Sequence, residues 1–299
     1  MTPEAYLPAH LQGATIEKIN AGLSGAGVYK VVAGDAAYVL KIADAPIDMP
    51  IREAAAQAGV APKIIYVDPT RHAVLSELVV DRGFMPLLMT PATRPRAIAS
   101  LGTTLRRVHD LPMPPNAKPA TPRAHLEHFT AALANLTVPA FVRTAQDRAL
   151  SEPEPPIDRE PVVSHNDVNP SNLVWDGERV RLLDWDTAAP NDPFYDLAAA
   201  ATFMRMDEVT CFALLEAHDG VSPAVLPARF AYWRRMVAAM CGSIFLSLAR
   251  QRGYAGSSSD QGMTLAEAYA QMRTGALVVA TGEGQWAFGL TLLRESLAL

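Results

Sequence analysis

VVSHNDVNPSNLVWDGERVRLLDWDTAAP, residues 162–190, alternates apolar pairs with short polar side chains. Val162-Val163, Leu173-Val174 and Leu182-Leu183 separate His165, Asn166, Asp167, Asn169 and Asn172 from Asp184 and Asp186. A solvated loop has no need of those apolar pairs. Short apolar runs bounded by turn residues read as strands, so the amides and carboxylates sit at strand ends. Asp176-Gly177 is a hairpin signal, and a hairpin over LVWDGERVRLLDW returns Asp184 beside Asn172. A divalent metal that carries phosphates takes hard oxygen ligands, one or two of them from protein, and Asn172 with Asp184 meets that need. Asp167 is then left to accept a proton from a hydroxyl nucleophile.

Upstream, the first eighty residues read as strands and turns. KINAGLSGAGVYKVVAG places a glycine-rich turn between two β-prone runs, and Gly34-Asp35 leads into a further strand, AAYVLKIA. In the turn, Gly22, Gly25 and Gly27 let backbone close over phosphates, and Ser24 adds a hydroxyl donor. Glycine-rich hairpin turns are common, so this signal carries little alone. Lys41 stands isolated between apolar neighbours in its strand and requires an anionic partner; Glu53, on the following helix IREAAAQAG, is the candidate. That helix is capped by Gly59, and APKIIYVDPTRHAVLSELVV adds two strands around Asp68-Pro69. Beyond residue 90 the period changes. Ile98, Leu101, Leu105 and Val108 share one helical face and Pro112 stops it. After Pro193 the chain reads as helical to its end, with breaks at HDGVSP and GYAGSSSDQGM.

The full set is a glycine-rich loop, a strand lysine, a helix glutamate, H-x-D-x-x-x-x-N in HNDVNPSN and D-x-D in LLDWD. It resembles the protein-kinase-like small-molecule kinases, which include aminoglycoside phosphotransferases and choline and ethanolamine kinases. LRRVHDLP and DPFYDLA add to the likeness, which spans residues 15 to 200 and is most specific at 162–197. It implies a bilobal α+β fold, with a small β-rich N-lobe over 1–79 and a larger, mostly helical C-lobe over 80–299. By the same resemblance Asp167 is the catalytic base, Asn172 and Asp184 hold Mg²⁺, and Asp186 is a further metal or water contact. Lys41 binds the phosphates of ATP with Glu53 orienting it, the loop of Gly22, Ser24, Gly25 and Gly27 covers them, and Glu77 to Val79 form the linker that meets adenine. His165 packs the loop, and Asp196 buttresses it. The implied reaction transfers the γ-phosphoryl group of ATP to a hydroxyl of a small molecule.

Bulk properties agree with such an enzyme. The 299 residues fit one large or two modest domains. The net charge of −5, from 26 basic and 31 acidic residues without a basic block, argues against a nucleic-acid surface. Cys211 and Cys241 lack metal-site spacing and read as buried thiols of a reducing cytoplasm. The start MTPEAYLPAH shows no signal peptide, and the apolar stretch from Met236 is too short for a membrane span and reads as a core helix. Two other classes stay open: a phosphohydrolase built on His165, Asp167, Asp184 and Asp186, and a pseudokinase binding module. From Leu197 onward eight acids face eight arginines, which argues against a polycationic aminoglycoside acceptor. Tyr232, Trp233, Tyr254, Trp286 and Phe288 could supply an aromatic cage for a quaternary ammonium, although they read first as core aromatics, and HND is closer to the choline-kinase pattern. The expected acceptor is therefore a choline- or ethanolamine-like alcohol, with thiamine, sugar and aminoglycoside as alternatives.

Overall fold

Runs of β-branched, aromatic and other apolar residues build the first sheet. Thr15–Lys18 (β1), Gly27–Ala33 (β2) and Ala36–Ile42 (β3) pair antiparallel in succession, with Lys18 opposite Tyr29 and Lys41 opposite Val28. The two-residue turn between β2 and β3 is opened by Gly34 at φ 59°, a conformation that glycine adopts without steric cost. Met49–Gln57 (α1) follows and ends before Gly59, which is left-handed at φ 70°. Ile64–Asp68 (β4) and Ala73–Glu77 (β5) complete a five-stranded sheet of order β1-β2-β3-β5-β4. Its core is Val31, Leu40, Ala73 and Leu75, closed on one side by Leu7 and Leu11 from the N-terminal turns.

The computed structural model describes residues 2–19 and 27–299. The chain divides into two compact units. The first comprises Met1–Ala117, Val162–Pro190 and Ala217–Asp219, and the second Lys118–Pro161, Asn191–Glu216 and Gly220–Leu299. The boundary expected after residue 79 thus falls inside the first unit.

In the first unit, Phe84–Met89 (α2) leads into Arg94–His109 (α3). The face foreseen from the 3.6-residue period is buried: Ile98, Leu101, Leu105 and Val108 are each at most 2% exposed. Against it lies the 162–190 stretch, whose apolar pairs are strands: Val162–Ser164 (β6), Leu173–Trp175 (β7), Val180–Leu182 (β8) and Ala189–Asn191 (β9). β7 and β8 form the expected hairpin, with Leu173 opposite Leu182 and Trp175 opposite Val180. Two hydroxyls on α3 fix its position. Ser100 Oγ accepts from Val180 N–H at 3.0 Å, and Thr104 Oγ1 donates to Val180 C=O at 3.0 Å. On the other side Leu182 N–H donates to Val60 C=O at 2.8 Å, just past α1.

The second unit is helical: Pro122–Ala132 (α4), Ala140–Ser151 (α5), Pro193–Phe203 (α6), Glu208–Asp219 (α7) up to Glu216, Ala228–Gln251 (α8), Leu265–Thr274 (α9) and Gly282–Ala298 (α10). The apolar stretch from Met236 lies in α8, as expected of a core helix. α8 and α10 cross at glycines, since a Cβ on Gly242 would stand 2.9 Å from Gly289 C=O. Polar pins are few and buried. Arg229 joins Asp192, the N-cap of α6, to Glu154, and Gln146 donates to Ser243 at 2.9 Å. Asp196 is fully buried in the first turn of α6, and the capping role falls to Asp192. Cys211 is buried, but Cys241 is only partly so, and neither forms a disulfide among the described residues. No helix among the described residues is long and apolar enough to cross a membrane.

The last residues of α7 belong to the first unit, where a buried polar chain holds them. His109 Nδ1 lies 2.8 Å from His218 Nε2, and His218 Nδ1 lies 2.7 Å from Asp219 Oδ1. With neutral rings, His109 donates to His218 and His218 to Asp219. Burial lowers the His218 pKa to about 4, with His109 acting in the same sense and Asp219 opposing. Below the unfolded value the unfolded chain takes up a proton that the folded chain refuses. Stability should therefore be complete above pH 6.5 and fall by about 3 kcal/mol from this group as the pH drops to 4. Urea unfolding at pH 7 and pH 4.5 measures the loss, and His218→Asn should flatten this part of the dependence.

Candidate active site

β6 delivers the chain into the first polar loop, and His165 is its hub. The ring is wholly buried, packs edge-on against Trp185 at 4.8 Å, and donates from Nε2 to Leu183 C=O at 2.8 Å. Its Nδ1 accepts the Asp167 N–H at 3.3 Å. His165 therefore joins the two polar loops and leaves no nitrogen for chemistry, as expected of a packing residue. Asn166 is left-handed at φ 64°, a backbone that asparagine and glycine tolerate. Its amide donates to Thr187 C=O at 3.0 Å and Ala189 C=O at 3.1 Å, a second tie between the loops.

Asp167 is held by amides. Oδ1 accepts from Asn169 Nδ2 at 2.8 Å and Oδ2 from Asn172 Nδ2 at 2.7 Å. Burial raises its pKa above the usual carboxylate value, opposed by Asn169, the His165 ring and Asn172 and reinforced by Asp184. A raised pKa suits a general base more than a permanently charged anchor.

The β7–β8 hairpin brings Asp184 back as the sequence foretold. Asp176 Oδ1 accepts from Glu178 N–H and Arg179 N–H, each at 2.9 Å, around Gly177 at φ 109°. At the hairpin's open end Leu183 N–H donates to Asn172 C=O at 2.8 Å. Asp184 itself is left-handed at φ 57°, an uncommon backbone for a non-glycine residue that concentrates at functional sites.

Lys41 reaches this loop from β3. Its Nζ lies 2.6 Å from Asp184 Oδ1 and 2.5 Å from Asp186 Oδ2, with the side chain 12% exposed. The anticipated Lys41–Glu53 pair does not form: Glu53 is exposed on α1. Its neighbour Arg52 faces the site and donates from Nη2 to Asp186 Oδ1 at 2.7 Å. Burial tends to raise the Asp186 pKa, but Lys41 and Arg52 together hold it below the usual carboxylate value. Sequence reasoning missed Arg52 because adjacent helix residues point about 100° apart, and nothing local says which of Arg52 and Glu53 faces inward.

The linker is anchored at both ends. Glu77 Oε1 accepts from Lys63 N–H at 2.9 Å and from Arg181 Nη1 at 2.6 Å, and Arg181 also donates to Asp176. Asp81 Oδ1 accepts from Trp175 N–H at 2.8 Å, and Arg82 N–H donates to Trp175 C=O at 2.7 Å. Between these anchors Val79 is half-buried and follows the last residue of β5 by two. Gly27 opens β2 opposite Ile42, with the Tyr29 ring 2.8 Å from where its Cβ would stand. Gly22, Ser24 and Gly25 lie outside the described residues.

The donors present suit a phosphate-carrying metal better than a resident one. Among the described residues no group of three His, Cys, Asp or Glu side chains is placed to hold an ion. Asn172 spends its amide nitrogen on Asp167 and keeps Oδ1, while Asp184 keeps Oδ2 outside its bond to Lys41. That pair of hard oxygens fits Mg²⁺ whose other ligands are phosphate and water.

The aromatic side chains of the second unit pack as core residues, the reading the sequence favoured over a cage. Tyr232, Trp233, Trp286 and Phe288 are at most 6% exposed. Tyr232 packs on Trp233, Trp286 stacks with Tyr254 at 5.0 Å, and Phe288 meets Phe245. These are core contacts within the second unit.

The chain matches the model of a phosphotransferase enzyme family over residues 15–236. No curated protein matches the sequence well enough to count as a relative. Among solved structures it is similar to a choline/ethanolamine kinase family protein from Mesorhizobium loti, with 22% identity, 96% of this chain and 94% of that chain covered, and a TM-score of 0.61. It is similar also to choline kinase LicA from Streptococcus pneumoniae, at 13% identity over 96% of this chain and 95% of that one, TM-score 0.63. A spectinomycin phosphotransferase in complex with ADP and spectinomycin aligns at 12% identity over 92% and 93%, TM-score 0.57. These likenesses establish the bilobal kinase-like α+β fold.

The left-handed Asn166 yields a ranking. Asn166→Gly keeps the backbone and loses the side-chain hydrogen bonds, whereas Asn166→Ala also incurs left-handed strain of about 1 kcal/mol. Urea denaturation should find the alanine variant the less stable of the two.

Proposed function

The chain belongs to the phosphotransferase enzyme family, and from that premise we propose that it moves the γ-phosphoryl group of ATP, carried with Mg²⁺, to the hydroxyl of a choline- or ethanolamine-like amino alcohol. Membership makes it an ATP-dependent phosphotransferase acting on small molecules. The carrying observation is the Asp167 Oδ2–Asn172 Nδ2 hydrogen bond of 2.7 Å, which builds a base and a metal-facing amide into one rigid element.

In this reading Asp167 accepts the proton of the acceptor hydroxyl, and its burial-raised pKa brings it nearer the working range. Asn172 Oδ1 and Asp184 hold Mg²⁺, which supplies charge neutralisation on the phosphates when bound. Lys41 leaves Asp184 for the phosphate oxygens, and the linker at Glu77 to Val79 presents backbone to the adenine. Gly22, Ser24, Gly25 and Gly27 close over the phosphates. Phosphoryl transfer depends on positioning and charge rather than on covalent chemistry by the protein, and the bonds between the two polar loops provide the positioning.

The amino-alcohol class is supported by the equal numbers of acids and arginines after Leu197 and by HND at 165–167. Choline and ethanolamine kinases also appear among the structural likenesses. A phosphohydrolase reading has lost its fourth ligand, since both His165 nitrogens are engaged within the loops.

Asp167→Ala should lower turnover by about 10²- to 10⁴-fold, while calorimetry still detects ATP binding; full turnover in that variant would refute Asp167 as the base. ADP release with Mg²⁺ and ATP should be stimulated by choline or ethanolamine more than by thiamine, aminoglycosides or sugars. Stimulation by one of the latter alone moves the acceptor assignment to that class.

A further inference from the structure

Four charged groups form one chain of alternating sign: Arg52, Asp186, Lys41 and Asp184, with successive separations of 2.7, 2.5 and 2.6 Å. Both oxygens of Asp186 are committed, Oδ1 to Arg52 and Oδ2 to Lys41. Asp184 commits only Oδ1. We infer that Arg52 positions Lys41 through Asp186, so that Asp186 is a bridge between two cations and not a metal ligand. The inference rests on the kinase reading in one respect, that Lys41 is the lysine that meets the nucleotide phosphates.

The charge logic follows from α1. A lysine 12% exposed needs a carboxylate partner, and the helix beside it turns Glu53 to solvent and Arg52 inward. A cation on that helix cannot pair with Lys41 directly, so an acid from elsewhere must stand between them. Asp186, two residues beyond Asp184 on the loop after β8, does so. Arg52 is itself largely buried, its side chain 12% exposed, and its Nη2 holds one oxygen of the carboxylate. When phosphates draw Lys41 away from Asp184, Asp186 and Arg52 still hold the lysine from its far side. Asp184 is thereby freed for the metal, and the two aspartates of D-W-D acquire different jobs.

A double-mutant cycle on metal-free ADP binding tests this, because a bridge acts on Lys41 without metal and a metal ligand does not. Calorimetry of the full chain with ADP in EDTA should show Arg52→Gln and Asp186→Asn each weakening binding by about tenfold, and the double variant no weaker than Asp186→Asn. Arg52→Lys should recover part of the loss, and Glu53→Gln should stay within about twofold of the parent chain. The Mg²⁺ concentration that half-saturates the ADP complex should be unchanged by Asp186→Asn. Additive losses in the double variant overturn the inference. So does an Asp186→Asn chain with intact metal-free binding and a raised Mg²⁺ requirement, or a tenfold loss in Glu53→Gln. If Arg52→Gln melts early, Arg52→Met keeps the aliphatic stem packed and replaces it in the cycle. Failure of the parent chain to bind ADP at all sinks the kinase reading with the inference; ADP binding with additive losses sinks the inference alone.

Discussion

The 2.8 Å hydrogen bond from Leu183 N–H to Asn172 C=O closes the open end of the β7–β8 hairpin and sets the distance between the two polar loops. It extends the β7–β8 pairing one step further and sets Asn172 against the residue before Asp184. The turn at the other end depends on Asp176, whose carboxylate takes two backbone N–H groups and a contact from Arg181. His165 and Asn166 then fasten the first loop to the second through Leu183, Thr187 and Ala189 carbonyls. Each of these bonds contributes about 1 kcal/mol by itself. Together they over-determine two left-handed residues, Asn166 and Asp184, that would otherwise relax.

Around that hairpin the first unit distributes its charges by burial. Carboxylates that serve structure are satisfied by backbone N–H groups or arginines, as at Asp176, Asp81 and Glu77. Asp167 differs: neutral amides hold it and burial raises its pKa. Asp186 goes the other way, between two cations. Two acids within one stretch of sequence, Asp167 and Asp186, are thus shifted in opposite directions because their neighbours differ.

Much of the architecture was legible in the residues. β-prone runs marked β2, β3, β4 and β5, Gly34-Asp35 marked the β2–β3 turn and Asp176-Gly177 the β7–β8 turn, and the 3.6-residue face of α3 is the face that is buried. The dense motif at 162–190 localised the site because each of its short polar residues has a distinct geometric task. Less legible were α4 and α5, whose amphipathic signal is diluted by alanine and arginine, and the half-exposed Cys241. The aromatic residues of the second unit were ambiguous by sequence, since a tyrosine or tryptophan on a helix reads the same whether it lines a pocket or packs a core. Their burial decides for the core.

By itself the sequence determined which residues could do chemistry and how they are spaced: a carboxylate at Asp167, oxygen donors at Asn172 and Asp184, and a lone lysine at Lys41. Those properties are local, fixed by side-chain type and by hairpin rules that act over a dozen residues. The partners of Lys41 were decided only by tertiary structure. Lys41 pairs with residues 143 and 145 positions away, and the choice of Arg52 over Glu53 depends on the rotation of α1 against the sheet. Rotation about a helix axis is set by packing of the whole face, and no short-range pattern encodes it.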